Sequence, residues 1–259
     1  MKLSVITPVY NEPGIRETLE SILSQENYSD TEIIIVDGNS TDETAAIIDE
    51  YSNDVDQLIR EPDKGTYDAM NKGIEHATGD LIGILNADDR YQHPNVLQSV
   101  IQAFSTSSAD LCYGNLVYVN KHDEVIRYWK SGEYQPRRFY FGWMPPHPTV
   151  FIKKDIYENY ELFDLNFSIA ADYELLLRLL LRHKVSTEYL NDVLVRMSIG
   201  GKSNASIANI VRANLEVYKA WRKNRLSGGI HVPLIKPARK IPQFFRNSKM
   251  ELQNEQNNN

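Results

Sequence analysis

The chain has 259 residues, of which 42% are hydrophobic and 24% are charged, as is ordinary for a soluble globular protein. No apolar run approaches the roughly 18 residues of a membrane-spanning helix, since even YELLLRLLLRHK contains Arg178 and Arg182. The single Cys112 excludes an intrachain disulfide, and MKLSVITPVYN lacks the features of a signal peptide. We therefore expect a cytoplasmic protein in a reducing compartment.

Charge is distributed unevenly along the chain. The segment 217–250 contains five Lys and four Arg and no Asp or Glu, so it carries +9. Because the net charge is −7, the rest of the chain carries −16. An acidic body followed by a basic segment predicts two separate roles.

Strand and helix patterns alternate in the first part of the chain. Apolar runs typical of strands occur in LSVITPVY, EIIIVD, VDQLI and DLIGILNADD. Helical spacing follows in EPGIRETLESIL, NSTDETAAIIDEY, TYDAMNKGIEHA and PNVLQSVIQAF, and Ser40 and Glu43 have the spacing of a capping box. Strands separated by helices predict a parallel α/β sheet.

The regular alternation of strand and helix patterns ends in the second part of the chain. A hairpin is predicted for DLCYGNLVYV and EVIRYW, and further strands are predicted for HPTVFIK and NDVLVRMS. A long amphipathic helix is predicted for DYELLLRLLLRHK. A helix from about residue 206 to residue 225 follows, and the polar MELQNEQNNN predicts disorder. We divide the chain into an α/β domain (1–203), a C-terminal helix and basic arm (204–250) and a disordered tail (251–259).

Polar residues follow three of the predicted strands. They are Thr7 to Tyr10, Asp37, and the pair Asp88 and Asp89. Each acidic strand end by itself also fits a turn or a helix cap. If the strands are parallel, all three lie at one edge of the sheet, where ligands bind in open α/β folds. A ligand site at this edge is the favoured interpretation.

The ligand is constrained by what the sequence lacks. No G-x-G-x-x-G follows the first strand, and in SIGGKS the first glycine of a phosphate-binding loop would fall at Arg196. A phosphate ligand on an acidic domain without a glycine cradle needs positive charge from elsewhere. A divalent cation held by paired carboxylates supplies it, and Mg²⁺ keeps coordination positions open for substrate phosphates.

Several segments together resemble the family 2 glycosyltransferases. They are SVITPVYNE, IIIVDGNSTDET, DKGTYDAMNKGIEHATGDLIGILNADD, PHPTVFIKKDIY and AADYELLLRL, and they extend over about residues 1–203. The resemblance implies a GT-A fold. This fold has a mostly parallel central sheet flanked by helices, a Rossmann-like nucleotide-binding half and a small antiparallel hairpin region on the acceptor side.

The resemblance implies a nucleotide pocket at the first two strand ends. Thr7, Pro8 and Tyr10 would line this pocket, and Asp37 would accept hydrogen bonds from the base of a UDP- or GDP-linked sugar. The alternative for Asp37 is a helix cap, although Ser40 could fill that role.

The resemblance also implies a metal site at NADD. Asp88 would contact the ribose or the metal, and Asp89 would contact the metal and the diphosphate, with Mg²⁺ or Mn²⁺ as the cofactor. The alternative for this pair is a turn. His147 in MPPHPTVF is either a third metal ligand, an acceptor contact or an ordinary loop histidine.

Asp172 matches the position of the family's catalytic base. An acceptor hydroxyl that attacks the anomeric carbon must lose a proton, which a positioned carboxylate can take, with inversion in one displacement. The alternative is an acid favoured by a helix dipole. Here Ala171 replaces the first acid of the commoner acidic pair, which leaves Asp172 without a neighbouring acid.

The basic residues have two candidate roles. Lys64, Arg196 and Lys202 are candidate diphosphate or acceptor contacts, although surface lysines are usually only solvated. The arm mixes Lys and Arg with Trp221, Phe244 and Phe245, and it could face nucleic acid, an anionic membrane or simply solvent. The bulky apolar residues favour the membrane, and nucleic acid is disfavoured because no recognition motif accompanies the charge.

The resulting prediction is a metal-dependent, inverting glycosyltransferase that moves a single sugar to a glycan or polyprenyl-linked acceptor in surface polysaccharide synthesis. Single transfer is expected because the Q-x-x-R-W motif of polymerising synthases is absent. The alternatives are a nucleotidyltransferase and a non-catalytic nucleotide-sugar-binding or scaffold subunit.

Overall fold

The computed structural model describes residues 1–26, 30–199, 207–227, 229 and 232. The strands are β1 (Leu3–Val9), β2 (Thr31–Asp37), β3 (Gln57–Arg60), β4 (Leu81–Ile84), β5 (Asp89–Tyr91), β6 (Leu111–Val119), β7 (Val125–Trp129), β8 (Val150–Lys153) and β9 (Thr187–Ser198). The helices are α1 (Ile15–Leu23), α2 (Glu43–Glu50), α3 (Thr66–His76), α4 (Val96–Thr106), α5 (Pro136–Phe139), α6 (Lys154–Tyr160), α7 (Ala171–Leu177) and α8 (Ile207–Lys223). A 3-10 turn (His147–Thr149) precedes β8, and a π-helical turn (Arg178–Arg182) continues α7.

One mixed sheet organises the fold, in the order β3-β2-β1-β4-β8-β6-β9-β5, with β7 paired to β6. Strands β1 to β4 are parallel, as predicted for the first part of the chain. The predicted β6–β7 hairpin is confirmed, because a short turn returns the chain antiparallel. Beyond β4 the pairing is mixed: β8 runs antiparallel to both of its neighbours, whereas β6 and β9 are parallel. The predicted α/β class is confirmed, and the mostly parallel arrangement belongs to its first half.

The core lies on both faces of the sheet. Leu3 and Val5 of β1 pack with α1, α2 and α4, whereas Ile6 packs with α3, α7 and α8. Strand β2 is buried at every position, as its continuous apolar run predicts. Each fully buried Leu, Ile or Val contributes about 1.5–3 kcal/mol. This two-sided core holds the strand ends in place.

Two local predictions were wrong. Helix α2 begins at Glu43, and its cap is Asp42, which accepts a hydrogen bond from the backbone N–H of Thr44 at 3.0 Å. Ser40 does not cap this helix; its hydroxyl accepts from the backbone N–H of Asn11 at 2.9 Å. Helix α7 is not amphipathic, since all its residues except Asp172 are buried.

The charges on α7 explain the second error. Glu174 and Arg178 are both buried and form an ion pair of 3.1 Å, one helical turn apart. Arg178 also donates to the carbonyl oxygens of Glu161 (3.0 Å) and Leu162 (2.8 Å). Buried charges are tolerated when they are paired and hydrogen-bonded, so the charged residues in this segment do not indicate a solvent-exposed helix face.

Helix α8 is part of the folded body. Trp221 is 1% exposed and donates to the hydroxyl of Tyr173 at 2.9 Å, while Asn224 donates to Glu174 at 2.9 Å. The Trp221 ring is therefore core, not part of a membrane-facing arm as predicted. The predicted boundary at 203 and the predicted tail lie outside the described residues. Within the described ranges, no helix is long and apolar enough to cross a membrane.

A buried carboxylate secures the far edge of the sheet. Glu32 accepts hydrogen bonds from Ser4, from the backbone and hydroxyl of Thr78 (both 2.7 Å) and from Gln57 (3.2 Å), and Lys2 is 3.3 Å away. Burial disfavours the charge, but the hydrogen bonds from Ser4 and Thr78 and the charge of Lys2 outweigh it and lower the pKa of Glu32 to about 2.

Glu32→Gln should therefore destabilise the protein by about 2 kcal/mol at pH 7. A carboxyl group whose pKa is lowered by folding stabilises the protein at pH values above its ordinary pKa of 4.5. This contribution is lost as the pH falls towards about 2. Urea unfolding at pH 7 and pH 3 measures the difference, which should shrink at pH 3. Glu50→Gln, in an exposed pair with Arg16, is the control and should change stability little. An equal loss in Glu32→Gln at both pH values would contradict the assignment.

Candidate active site

Three strands end together at one edge of the sheet. Val9 pairs with Asp37, Ile6 pairs with Ile84, and the backbone N–H of Leu85 donates to the carbonyl oxygen of Ile6 at 3.0 Å. The loops that follow β1, β2 and β4 therefore leave the sheet side by side. The predicted shared edge is confirmed.

The loops after β1 and β2 are joined to each other. The backbone N–H of Gly38 donates to the carbonyl oxygen of Val9 at 2.9 Å, and Asn11 accepts from the backbone N–H of Thr41 at 2.8 Å. Asn11 has a φ of 48°, in the left-handed region that Asn tolerates. These bonds leave the side chain of Tyr10 49% exposed at the rim.

The other predicted nucleotide contacts are inside the protein. Thr7 and Pro8 are buried within β1. Asp37 is 0% exposed, and its oxygens accept from Arg60 Nε at 2.9 Å and from the backbone N–H of Ser40 at 2.8 Å. These contacts make Asp37 a support for the loop after β2, and its hydrogen bond to a base stays a prediction.

Asp63 is a carboxylate at this edge that the sequence analysis missed. A Cβ atom on Gly38 would lie 2.5 Å from Asp63 Oδ2 and 3.3 Å from the ring of Tyr10, so the three residues are in close contact. Asp63 Oδ1 accepts from the backbone N–H of Gly65 at 2.7 Å, and no described residue donates to Oδ2. Its position between β3 and α3, at the same edge as Asp37, was the available signal.

The acidic loop places its two carboxylates differently. Asp88 is half-buried, whereas Asp89 begins β5 and is 0% exposed. Asp89 Oδ2 accepts from the side-chain amide of Asn86 at 2.8 Å, and Oδ1 has no hydrogen-bond partner among the described residues. Burial and the charge of Asp88 raise the pKa of Asp89 well above its ordinary value. Asp89 therefore has a buried carboxylate oxygen that no described residue satisfies, which fits a cation site.

Neighbouring elements hold this loop in shape. The hydroxyl of Thr18 in α1 donates to the carbonyl oxygen of Asp89 at 2.7 Å and lies 3.3 Å from that of Asn86. Ser198 of β9 donates to the carbonyl oxygen of Asp88 at 2.9 Å. A Cβ atom on Gly14 would lie 3.2 Å from the carbonyl oxygen of Ala87, so the β1–α1 loop packs directly on the acidic loop.

Asp172 lies half-buried in the first turn of α7. The hydroxyl of Tyr67, in the first turn of α3, is 3.2 Å from Asp172 Oδ1 and 2.9 Å from the carbonyl oxygen of Ile169. Tyr67 stacks on Phe163 with ring centroids 5.5 Å apart. Since α3 begins at the edge that contains Asp63, this contact brings Asp172 to the same edge.

His147 lies near enough to Asp172 for the charge of Asp172 to affect it. It is 8% exposed and packs edge-on against Phe163, with centroids 5.4 Å apart. Burial lowers the pKa of His147, and the charge of Asp172 partly opposes this. In the ranges described, no three His, Cys, Asp or Glu side chains are grouped to hold a metal, so His147 does not complete a set with Asp88 and Asp89.

Tyr118 links the acidic loop to Asp172. Burial raises its pKa; the charge of Arg127 lowers it, and those of Asp89 and Asp172 raise it further. Tyr118 pairs across the strands with Met197, which pairs with Asp89, while Arg127 lies over the Tyr118 ring at 4.6 Å. Both acids therefore act on one region of the site.

Of the predicted cationic residues, Lys64 follows Asp63 in the loop between β3 and α3, whereas Arg196 of β9 has partners elsewhere. Arg196 pairs with Asp123 at 3.1 Å and donates to Gln92 at 3.2 Å. The side chain of Lys64 is exposed and has no ion pair within the described part of the chain. Lys202 lies outside the described residues. Roles for Lys64 and Arg196 at a diphosphate stay predictions.

The sequence profile of "Glycosyl transferase family 2" matches residues 4–160, from β1 to the end of α6. The chain belongs to this family. The match contains the strand ends, both loop acids and His147, whereas Asp172 lies beyond it.

Curated relatives agree with the family. An uncharacterized glycosyltransferase of Mycobacterium tuberculosis is 32% identical over 183 residues, 68% of each chain. A "PGL/p-HBAD biosynthesis glycosyltransferase" of the same species is 26% identical over 209 residues, 79% of this chain and 80% of the relative. The chain is therefore a glycosyltransferase.

Solved glycosyltransferases share the fold. The mannosyltransferase PcManGT of Pyrobaculum calidifontis, in complex with GDP-Man and Mn²⁺, has a TM-score of 0.64 at 19% identity, covering 97% of this chain and 72% of that one. TarS 1–349 of S. aureus, in complex with UDP-GlcNAc, has a TM-score of 0.61 at 19% identity, covering 86% of this chain and 65% of that one. The predicted GT-A fold is confirmed.

Asp89→Asn should stabilise the protein when no divalent cation is present. Because folding raises the pKa of Asp89, the free energy of unfolding falls as pH rises from the ordinary pKa of 3.8 through the pKa in the folded protein. The variant lacks this charge, so at pH 8 its free energy of unfolding should exceed that of the unmodified protein by about 1–3 kcal/mol.

Urea unfolding with a chelator at pH 8 and pH 5 measures this gain, which should be smaller at pH 5. Asp54→Asn makes the same chemical change at an exposed position and should have no such effect. Destabilisation by Asp89→Asn at pH 8 would show that the ionised carboxylate already has a compensating partner.

Proposed function

We propose that the enzyme transfers a single sugar from a nucleoside-diphosphate sugar to an acceptor hydroxyl, with a divalent cation and with inversion at the anomeric carbon. One observation carries this proposal: two separate carboxylates lie close enough to Tyr118, at one edge of the sheet, for their charges to raise its pKa. The first is Asp89, which lies beside Asp88 and has a buried oxygen without a hydrogen-bond partner among the described residues. The second is Asp172. Asp88 and Asp89 suit a cation and a leaving diphosphate, and Asp172 suits the role of general base.

The nucleoside would bind at the edge formed by β1 and β2. Tyr10 presents an exposed ring for stacking on a base, next to Gly38 and the carboxylate of Asp63. Asp63 Oδ2 is the better placed acceptor for a base N–H, because both oxygens of Asp37 already accept hydrogen bonds. A UDP- or GDP-linked donor is proposed, as solved relatives in complex with UDP-GlcNAc and GDP-Man support.

Asp88 and Asp89 would hold the cation, Mg²⁺ or Mn²⁺. Asp88 is half-buried and reachable from outside, while Asp89 lies behind it. Hard cations of this kind prefer carboxylate oxygens and share their coordination sphere with substrate phosphates. When bound, the cation neutralises charge that develops on the leaving diphosphate. The Mn²⁺ bound to PcManGT supports this choice.

Asp172 would act as the general base. It takes the proton of the acceptor hydroxyl while the acceptor oxygen forms a bond to the anomeric carbon. The bond between that carbon and the diphosphate oxygen breaks, so the nucleoside diphosphate leaves with the electron pair. Attack from the opposite side inverts the configuration without a covalent intermediate.

The acceptor is proposed to be a glycan anchored to a membrane lipid at the cytoplasmic membrane face, in surface polysaccharide synthesis. Val211 and Leu215 on the outer side of α8 are 54% and 57% exposed, and Arg212, Lys219 and Arg222 flank them. The +9 segment begins on this helix. Basic residues next to exposed apolar ones favour an anionic lipid surface. Nucleic acid is not proposed as a partner.

The test of transfer begins with the donor. Thermal unfolding with a panel of UDP- and GDP-sugars, each with Mn²⁺ or Mg²⁺, identifies the donor by the rise in Tm. Asp172→Asn should then reduce release of the nucleoside diphosphate about 10²-fold or more while the donor still raises Tm. Asp89→Asn should lose the cation-dependent rise in Tm.

Each alternative has its own outcome. Full activity in Asp172→Asn would remove the assigned base. Donor binding without nucleotide release, with all acceptors tried, would indicate a non-catalytic binding subunit. Release of pyrophosphate from a nucleoside triphosphate and a sugar phosphate would indicate a nucleotidyltransferase.

Membrane contact has a separate test. The full chain should sediment with vesicles that contain anionic lipid and should stay in solution with neutral vesicles. Replacing Lys236, Arg239, Lys240 and Arg246 by Ala in the full chain should abolish sedimentation, while Lys121→Ala on the acidic body should not. Sedimentation of a chain truncated after residue 225 at the level of the full chain would contradict a role for the arm.

A further inference from the structure

The turn that precedes Asp172 makes contacts with two distant helices. Ala171 provides no acid beside Asp172, so the environment of Asp172 has to come from elsewhere in the chain. Residues 168–170 lead into α7 and contact both α8 and α3. These contacts concern a residue that acts only if the function proposed above is correct, so the inference rests on that proposal.

Glu216 of α8 binds one side of this turn. Its Oε1 accepts from the backbone N–H (3.1 Å) and hydroxyl (2.8 Å) of Ser168, and its Oε2 accepts from the backbone N–H groups of Ile169 and Ala170, both at 2.9 Å. Glu216 is 4% exposed. Burial opposes its charge, but these hydrogen bonds prevail and lower its pKa, so Glu216 is an anion near neutral pH.

Tyr67 of α3 binds the other side. Its hydroxyl reaches both the carbonyl oxygen of Ile169 and Asp172 Oδ1. Burial and the charge of Asp172 raise the pKa of Tyr67 well above its ordinary value, so the hydroxyl keeps its proton. A hydroxyl has one hydrogen to donate, so it serves either the carbonyl or the carboxylate at one time.

We infer that Tyr67 and Glu216 are positioning residues for Asp172: Tyr67 holds its carboxylate from α3, and Glu216 holds the turn before it from α8. A hydrogen bond donated by Tyr67 stabilises the ionised carboxylate. The anionic Glu216 binds the backbone of residues 168–170, and so fixes the turn from which α7 presents Asp172.

The split between kcat and the donor KM provides a readout that a general loss of structure would not give. The groups that face Asp172 or the turn before it are Tyr67 of α3, His147 before β8, Tyr118 of β6 and Glu216 of α8, and Arg212 lies 3.7 Å from Glu216 Oε1. Tyr67→Phe and Glu216→Gln should each lower kcat more than they change the donor KM.

The experiment uses the full chain, Mn²⁺ and whichever of UDP-GlcNAc or GDP-mannose raises Tm, with nucleoside diphosphate release as the assay. Tyr67→Phe should lower kcat about tenfold or more, since a misplaced base is costly, while the donor KM changes less than about twofold. Tyr134→Phe is the matched control, because its hydroxyl also donates to a carbonyl oxygen, that of Leu180 at 2.8 Å. It should leave kcat and the donor KM unchanged.

Glu216→Gln keeps the size of the side chain and removes its charge. If this variant does not fold, Tyr67→Phe alone decides, since a kcat equal to that of the control would overturn the inference. A Tyr67→Phe variant whose donor KM rises as steeply as its kcat falls would also overturn it. Asp172→Asn in the same assay separates the two proposals: full activity there contradicts the base itself, whereas its loss with an unaltered Tyr67→Phe contradicts only the positioning.

Discussion

The arrangement of the protein depends on how it accommodates buried negative charge. Five acids are buried among the described residues, and four of them have cationic or hydrogen-bonding partners for their carboxylates: Glu32, Asp37, Glu174 and Glu216. Asp89 differs, because one of its oxygens has no hydrogen-bond partner and its half-buried neighbour Asp88 adds a second negative charge. An unpaired charge in a protein interior is costly. The divalent cation and the diphosphate that we propose for this edge have the charge and chemistry to compensate the ionised carboxylate.

The paired acids hold the elements that surround this site. Asp37 with Arg60 supports the loop after β2, and Glu32 secures the opposite edge of the same strands. Glu174 with Arg178 permits α7 to be buried on nearly all sides, and Asn224 of the segment after α8 binds the same carboxylate. Glu216 then connects α8 to the turn before Asp172. The turn before Asp172 is thus bound to α8, whose outer face carries exposed basic residues.

Parts of the fold and site were predictable because they depend on local patterns. Continuous β-branched runs identified β2, and alternation with helices identified the parallel strands, so the shared edge of Tyr10, Asp37 and Asp88 followed from parallel geometry alone. Tyr67 and Asp63 were missed because their importance arises from contacts distant in sequence, such as the 105 residues between Tyr67 and Asp172. Helix α7 was misjudged because Glu174 and Arg178 neutralise each other in the interior, which no hydrophobic pattern reveals.

The sequence by itself determined the family, the α/β order of elements and the identity of the two loop acids, since these follow from periodicity and from short motifs within single segments. Only the tertiary structure decided which carboxylates are exposed, which are paired and which positions surround Asp172. The reason is physical: burial and the partners of a charge set its energy, and both come from residues brought together from separate parts of the chain. ILNADDRY reads as two adjacent acids, and folding makes Asp88 the accessible one and Asp89 the buried one.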